Sequence, residues 1–558
     1  PVLVEKEIDF WGQVLFSVAA SSQAVARKAA RLDGPSFETQ TPLNSIEEGL
    51  ARSSFVRPSH SLSSGDAKQA IAAAPRSLSG ELRSGGQEHM YMEGQACLCI
   101  PQEGGGVLVY SSTQHPTGVQ QSVASVLGVP MSEVTVDTRR MGGGFGGKET
   151  QANQWACIAA LLARKTGRGV KLRLMRSDDF MATGKRHPFL SHYQVGFDDD
   201  GRLMGLDMTL SAGCGMSPDL SDPVVDRAMF HTDNAYFLPH ISVTGHRIKT
   251  HQASNTAFRG FGGPQGMLAI ENVIDDVARS VGRDPLEVRK LNFYSKEGGR
   301  DVTPYGQRVE QHIIGPLVER LEVSADYYGR RNELIKFNQA QAIIRKGIAL
   351  TPIKFGISFM QQHLNQAGAL LHVYLDGSIQ LNHGGTEMGQ GLYTKVAQVV
   401  AHELQVDSRR IVCSSTRTDK VPNTSATAAS SSSDLNGMAA RDAARKIKKK
   451  LSAFAAEHFD VKESDVTFVD DHVVAGENRL GFSELVEIAY FSRVPLSATG
   501  FYRTPKIHYD RERARGRPFF YYAYGAAVSE VLVDTLTGEY CVTRVDICQD
   551  VGQSLNPA

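Results

Sequence analysis

Alternation of hydrophobic and polar residues recurs along the chain and marks a series of short strands. We predict strands at residues 13–19, 90–100, 107–110, 172–175, 192–197, 204–211, 348–359, 370–375 and 378–383. Elsewhere apolar residues recur every three or four positions, which predicts helices at residues 21–31 and 150–164 and others beginning near residues 264, 392 and 435. The order lacks the regular βα alternation of a Rossmann sheet or barrel, so we expect an α+β fold.

A helix-rich stretch at residues 311–343 divides the bulk of the chain into two halves. Near the N-terminus, residues 33–80 are rich in Ser, Pro and Gly, and their elements are poorly marked, so they predict a linker. A chain of 558 residues is also too long for one ordinary core. We therefore expect four segments: 1–32, the linker 33–80, 81–325 and 326–558.

Composition excludes several classes of partner. Sixty Lys and Arg residues balance sixty Asp and Glu residues, which gives no electrostatic reason to expect nucleic acid or an anionic membrane. No apolar run approaches the roughly 18 residues of a membrane span, and no signal peptide is visible. The seven cysteines are scattered, and the pair Cys97 and Cys99 is only a weak metal signal. These features predict a soluble protein of the reducing cytoplasm.

The most informative stretch is the first glycine-rich loop, residues 141–150, which reads Met-Gly-Gly-Gly-Phe-Gly-Gly-Lys-Glu-Thr and precedes a predicted helix. Glycine lets backbone N–H groups approach a ligand closely, and the start of a helix favours an anion. A nucleotide P-loop is the obvious alternative, because Gly142, Gly147 and Lys148 fit its spacing. The next residue should then be Ser or Thr, but it is Glu149, which argues against a phosphate. A plain turn remains the alternative for this loop alone.

Three further loops feed predicted helices. The second loop covers residues 257–265, the third loop residues 383–391 and the fourth loop residues 424–433. One such loop is ordinary, but four in one chain indicate a large anionic ligand that is held mainly by main-chain N–H groups.

In this order the four loops resemble the molybdopterin-binding part of the xanthine dehydrogenase/aldehyde oxidase family, and residues 522–530 are similar to the molybdenum subunit of its bacterial-type dehydrogenases. The resemblance implies two elongated α+β molybdopterin-binding subdomains, at 81–325 and 326–558, the second incomplete at its C-terminus. Residues 1–32 would be the end of a hammerhead domain. The implied activity is oxidation of hypoxanthine or xanthine at a ring carbon with oxygen from water. Electrons would pass to 2Fe-2S, FAD and NAD on a partner subunit or a missing segment, in a hetero-oligomer such as (αβ)2.

The resemblance also implies residues around the cofactor, molybdenum held by molybdopterin, which could carry a nucleotide tail. Gln114 matches a glutamine that hydrogen-bonds an oxo ligand of molybdenum; without the resemblance it would be a polar residue that ends a strand. The main chain would adjoin the metal centre at Phe145, Arg259 and Ala429. Further cofactor contacts are implied at Gly144, Gly146, Met388, Gly389, Gln390, Ala428, Ser430 and Ser432.

For the substrate, the resemblance points to Glu149 and Arg227, which bracket a purine in the xanthine-specific branch and are uncharged in aldehyde oxidases. A positioned guanidinium would stabilise the negative charge that a purine accumulates during oxidation. Phe261 and Phe359 would sandwich the ring, and Met360 would line the site. Taken alone, Arg227 would be an exposed residue and the two phenylalanines would be core residues.

Two departures keep alternatives open. The family's general-base glutamate lies in a Gly-Glu-Pro motif beyond Ala558, and Gly476-Glu-Asn478 has the wrong context, so we expect this polypeptide alone to be nearly inactive. Gln361 and His363 make the entry channel more polar than in many relatives. The alternatives are an aldehyde or other N-heterocycle oxidoreductase of the same family, or a non-catalytic molybdopterin-binding fragment.

Overall fold

A computed structural model describes residues 2–32 and 34–555, apart from the side chains of residues 429–431. The strands are β1 (Phe55–Ser64), β2 (Arg76–Ser84), β3 (Ala96–Pro101), β4 (Val107–Ser111), β5 (Val134–Thr138), β6 (Val170–Arg173), β7 (Phe189–Phe197), β8 (Leu203–Gly215), β9 (Ile241–Lys249), β10 (Ile344–Ile357), β11 (Gln366–Val373), β12 (Ile379–His383), β13 (Ile411–Cys413), β14 (Thr416–Arg417), β15 (Val466–Val469), β16 (His472–Ala475), β17 (Asn478–Gly481), β18 (Ser497–Arg503), β19 (His508–Asp510), β20 (Arg515–Arg517), β21 (Tyr521–Asp534) and β22 (Tyr540–Gln549).

The helices are α1 (Gln23–Ala30), α2 (Ile46–Ala51), α3 (Ala67–Ala73), α4 (Pro116–Leu127), α5 (Ala152–Thr166), α6 (Arg176–Ala182), α7 (Ser221–Phe230), α8 (Gly263–Val281), α9 (Pro285–Asn292), α10 (Ile314–Ser324), α11 (Tyr327–Ala340), α12 (Leu392–Leu404), α13 (Ala429–His458) and α14 (Phe482–Phe491). The α+β prediction is confirmed, and α10 and α11 occupy the predicted helix-rich stretch.

Two expectations near the N-terminus are wrong. Residues 13–19 form no strand, and the predicted linker 33–80 contains α2, β1, α3 and the start of β2. Strands β1 and β2 are the two edges of a five-stranded sheet with the order β1-β9-β8-β7-β2. Most side chains of β1 are exposed. An edge strand of this kind therefore needs no apolar alternation, which is why the sequence did not reveal it.

The first half of the chain contains this sheet and a second five-stranded sheet, β14-β5-β4-β3-β6. Helices α7 and α8 contribute to the core of the first sheet, and α4 and α5 cover the second. Strand β14 comes from the second half of the chain and pairs antiparallel with β5. The second half thus completes a sheet of the first.

The second half is built on a four-stranded sheet, β13-β12-β11-β18, packed against α12, α13 and α14. Helix α13 lies very close to β18, because a Cβ added at Gly500 would be 2.0 Å from the carbonyl oxygen of Ala439. The small buried residues Ala440, Ala443 and Ala444 on the same helix allow this approach.

The sheet β10-β21-β22 joins the two halves. Although its strands follow residue 343, Leu350, Tyr522 and Val528 belong to the core of the first half. A boundary near residues 325–326 therefore divides the sequence, but residues from both sides of it pack in the same hydrophobic core. Apart from the linker, the division into segments, with a hammerhead end at 1–32, stays a prediction.

The cysteine, metal and membrane expectations can be compared with the structure over the described residues. The thiols of Cys97 and Cys99 are buried and donate to carbonyl oxygens of α5, and burial raises the pKa of Cys97 to about 12, so this pair belongs to the core. Within residues 2–32 and 34–555 there is no group of three or more His, Cys, Asp or Glu side chains suited to a metal ion. No helix in those ranges has the length and apolar character needed to cross a membrane.

Candidate cofactor and substrate site

The glycines of the first loop are required by close contacts. Gly143 and Gly146 have φ values of +92° and +101°, and Phe145 between them has +54°. A Cβ at Gly144 would be 2.6 Å from the side-chain oxygen of Gln114, and one at Gly146 would be 2.5 Å from a carbonyl oxygen of the second loop. The loop is therefore built to lie directly against its neighbours, with the Phe145 ring partly exposed.

Gln114 ties the first loop to the fourth. Its Oε1 accepts from the N–H groups of Gly146 (2.8 Å) and Lys148 (3.4 Å), and its Nε2 donates to the carbonyl of Thr427 (3.0 Å). The main-chain N–H of Thr427 returns a 2.8 Å bond to the carbonyl of Gln114. The side chain is buried. Since an amide has two N–H donors, one of them has no partner among the described atoms.

The second loop connects the first loop to α7. The N–H of Arg259 donates to the carbonyl of Phe145 at 2.9 Å, so these two main-chain segments are in contact. Gly262 has φ +91°, and a Cβ there would be 2.0 Å from the carbonyl of Val224 in α7. Phe261 precedes it with φ +53°. Phe261 is thus held in the second loop, next to the contact of Gly262 with α7.

The third loop behaves differently from the prediction of an anion-holding helix N-terminus. The buried carboxylate of Glu387 accepts from the N–H groups of Gly389 (2.9 Å), Gly391 (3.1 Å) and Tyr393 (3.0 Å) at the start of α12. At these three positions the protein's own carboxylate occupies the N–H groups, so they are not free to hold an anionic ligand as expected. Sequence reasoning missed Glu387, although a Glu directly before a helix start favours this arrangement.

The other predicted residues of the third loop are held by local bonds. Gln390 accepts from the N–H of Met388 (2.7 Å) through Oε1 and donates to the carbonyl of Thr386 (2.9 Å) through Nε2. Gly389 is exposed with φ +100°, and a Cβ there would meet nothing within 4 Å. The glycine is thus needed for its backbone conformation rather than for a close contact.

The fourth loop meets the third at Thr427, whose hydroxyl accepts from the N–H of Thr386 at 2.8 Å. Ser432 is buried, and its hydroxyl donates to the carbonyl of Ala428 at 3.4 Å. The main-chain position expected of Ala429 stays a prediction, and the side chain of Ser430 lies outside the described ones. The first, third and fourth loops therefore converge on Gln114 and Thr427.

Glu149 is a buried carboxyl group without a hydrogen bond to any described atom. Burial, and then the nearby Asp219, raise the pKa of Glu149 to about 8. The neighbouring Lys148 points elsewhere: its Nζ donates to the carbonyl of Glu93 (2.6 Å) and the hydroxyl of Ser112 (2.8 Å). The Lys148 ammonium is bound by groups of the protein itself, which agrees with the exclusion of a P-loop.

Arg227 lies on α7 and is buried, so the alternative of an exposed surface arginine is wrong. Its guanidinium donates to the carbonyls of Ser358 (3.0 Å) and Gly356. It lies over the rings of Phe355 and Phe519, at 4.8 and 5.2 Å from their centroids. No described carboxylate pairs with it, its Nε has no partner, and burial lowers the pKa of Arg227 to about 10. A buried cation without a counter-ion favours an anionic or electron-rich ligand.

Phe359 and Met360 lie where the two cores meet. Phe359 packs partly against the core of the second half, and Met360 partly against the core of the first. The side chain of Asn365 fixes this segment, because it accepts from the N–H of Phe359 and donates to its carbonyl, both at 2.8 Å.

Two models of the molybdopterin cofactor-binding domain family match residues 52–293 and 320–558. The chain belongs to this family. It is 41% identical over 558 residues to the xanthine dehydrogenase/oxidase of Gallus gallus and 41% identical over 559 residues to the xanthine dehydrogenase of Dictyostelium discoideum. The chain is matched from end to end and spans 40% of the length of each relative. The resemblance to the xanthine dehydrogenase/aldehyde oxidase family is thus confirmed.

Solved structures show the same fold at lower identity. Quinoline 2-oxidoreductase from Pseudomonas putida 86 superposes with a TM-score of 0.87 at 21% identity, covering 100% of this chain and 73% of that one. The aldehyde oxidoreductase from Desulfovibrio gigas gives a TM-score of 0.86 at 23% identity, covering 100% and 59%.

The loops fit the molybdenum–molybdopterin group that defines the family. Gly143 and Gly144 are buried, and their N–H groups donate to no described atom. The neighbouring Gln114, which a Cβ at Gly144 would meet at 2.6 Å, has one N–H without a described partner as well. Buried donors without partners are rare unless a ligand satisfies them. Gln114 and the first loop would therefore contact the group, and the second and fourth loops would enclose it.

Proposed function

We propose that this chain is the molybdopterin-binding part of an enzyme that oxidises hypoxanthine or xanthine at a ring carbon, using oxygen from water. The observation that carries the proposal is Arg227, a buried guanidinium that has only carbonyl and ring partners among the described residues. Two relatives along the whole chain are named for xanthine, which supports the same substrate class.

Different side chains would contact different parts of a bound purine. Arg227 would stabilise the negative charge that develops on the ring nitrogens and carbonyl oxygen, and its dry surroundings strengthen that attraction. Glu149 would face the opposite edge of the ring, with Phe261 and Phe359 on its sides and Met360 at the entrance. When bound, the molybdenum group would supply the redox chemistry by taking up the substrate's electrons.

The electrons would then pass to 2Fe-2S and FAD centres and to NAD, on another subunit or on other segments of the protein. We propose a hetero-oligomer such as (αβ)2 in the cytoplasm. The seven cysteines are free in the structure, which is compatible with a reducing compartment.

The test uses the full-length holoenzyme and compares hypoxanthine with benzaldehyde. We expect turnover of hypoxanthine, and we expect Arg227→Met to lower its kcat/KM by about 10²-fold, the worth of a charge-assisted hydrogen bond in a dry site, while molybdenum content stays unchanged.

Arg300→Met is a matched control. Arg300 also donates to a carbonyl, that of Leu291 (3.1 Å), and lies over the ring of Phe237 at 5.6 Å, but it is outside the four loops. This variant should keep wild-type kinetics. Turnover of benzaldehyde without hypoxanthine would instead favour an aldehyde oxidoreductase, and turnover of neither with a full molybdenum content would favour a cofactor-binding role.

A further inference from the structure

Glu149 does not stand alone, because a second, partly buried carboxyl group, that of Asp219, lies near it. Asp219 precedes α7, and its Oδ2 accepts from the hydroxyl of Thr150 (3.1 Å) and from Nε2 of Gln151 (3.0 Å). These donors are the two residues that directly follow Glu149. Asp219 is therefore fixed to the end of the first loop and, through the chain, to the helix that carries Arg227.

The two carboxyl groups differ in their hydrogen bonds. Burial raises the pKa of Asp219 as well, but Asp219 receives at least the two donors just named, and a hydrogen bond from Thr256 also stabilises its charged form. Glu149 receives no donor from the described atoms. When two buried carboxyl groups are close, both cannot ionise easily, and the negative charge is favoured on the one that is better hydrogen-bonded. The charge therefore belongs on Asp219 and the proton on Glu149.

The surrounding elements bring no described cation that would reverse this assignment. Lys148 is turned toward Glu93 and Ser112. His187 contacts the start of α7 through Ser221 (2.8 Å), and burial lowers the pKa of His187 to about 3, so it is neutral. Arg186, on the same segment, donates to the carbonyl of Arg259.

We propose that Asp219 is a positioning residue that keeps the proton on Glu149, so that Glu149 donates a hydrogen bond to an acceptor atom of the substrate. The inference rests on the proposed function for the identity of that acceptor, a ring nitrogen or carbonyl oxygen of a purine. A neutral acid stabilises the negative charge that develops there, whereas a carboxylate would repel it. Asp219 thereby sets which hydrogen-bonding pattern the site accepts.

Infrared spectroscopy of the full-length holoenzyme without substrate reads the proton directly. The carbonyl stretch of a protonated carboxylic acid should be present at neutral pH, disappear with a midpoint near pH 8, and be absent in Glu149→Gln. In Asp219→Asn the midpoint should fall by about one pH unit or more, because a neighbouring negative charge has been removed. Thr150→Val, which removes one hydrogen-bond donor to Asp219, should also lower the infrared midpoint, but by a smaller amount.

Kinetics with hypoxanthine provide the second readout. In the wild type kcat/KM should decline as pH rises through about 8, and in Asp219→Asn the decline should shift down with the infrared midpoint. Glu149→Gln should remove the pH step. A purely structural role for Asp219 would lower the rate equally at every pH without moving either midpoint, and that outcome would overturn the proposal. Movement of the infrared midpoint without any purine turnover would refute the proposed function alone.

Discussion

Replacing Gln114 with Leu tests whether the meeting of the loops, rather than their separate conformations, holds the cofactor. The side chain is buried, and it spans 313 residues of sequence through its bond to Thr427. Leu has a similar volume but neither accepts nor donates. The substitution would leave the N–H of Gly146 and the carbonyl of Thr427 without their partner and would remove the side-chain link between the two loops, leaving the main-chain bond from Thr427 to residue 114.

The size of the effect follows from these groups. Each buried polar atom left without a partner costs about 1–3 kcal/mol, so we expect a loss of about 2–5 kcal/mol of folding free energy. The hydrogen bond to the N–H of Lys148 is long, at 3.4 Å, so its loss adds little to this free-energy cost. Gln120→Leu is a matched control, because buried Gln120 donates to the carbonyls of Met131 (3.0 Å) and Val134 (2.8 Å) away from the loops. Its cost should be similar, about 2–4 kcal/mol by the same reasoning.

Both variants should therefore unfold at lower temperature, but only Gln114→Leu should lose molybdenum. The measurement is molybdenum content by elemental analysis of purified full-length protein, alongside the thermal midpoint. Equal loss of molybdenum from both variants would show that the effect is general destabilisation. Full molybdenum content in Gln114→Leu would refute the reasoning that this side chain organises the site.

Two further predictions concern the loops' backbone and their acid sensitivity. Gly262→Ala should cost several kcal/mol of folding free energy and reduce molybdenum content, because its Cβ would meet the carbonyl of Val224 at 2.0 Å. Gly167→Ala, with φ +65° and no atom within 4 Å, should cost only about 1–2 kcal/mol. Denaturant unfolding of both variants checks the difference. Burial lowers the pKa of His383 to about 4 from 6.5, and its Nδ1 accepts from the N–H of Gly385 at 3.2 Å. The unfolded chain therefore takes up a proton from about pH 6.5 downward while the folded ring stays neutral, which removes about 2 kcal/mol of stability by pH 5. Thermal midpoints at pH 7.5 and 5 should differ less in His383→Asn than in the wild type. An unchanged difference would contradict the attribution of this acid sensitivity to His383.

Local sequence determined a large part of this protein. Helix α5 was predicted at residues 150–164 and lies at Ala152–Thr166, because its apolar period and the glycines before it are short-range signals. The four loops, their order and their family were readable for the same reason. The positive φ values of Gly143, Gly146 and Gly262 show why those glycines occur where they do.

Tertiary structure decided what the loops contain. The carboxylate of Glu387, not a ligand, satisfies the start of α12, and Arg227 proved to be buried rather than exposed. Asp219 became visible as a partner of the first loop only when α7 was placed against it. Each of these facts depends on groups far apart in sequence, and periodicity and local propensity carry no information on such pairings. The sequence alone therefore determined which segments build the site, whereas the packing of those segments decided which charges they leave without a partner.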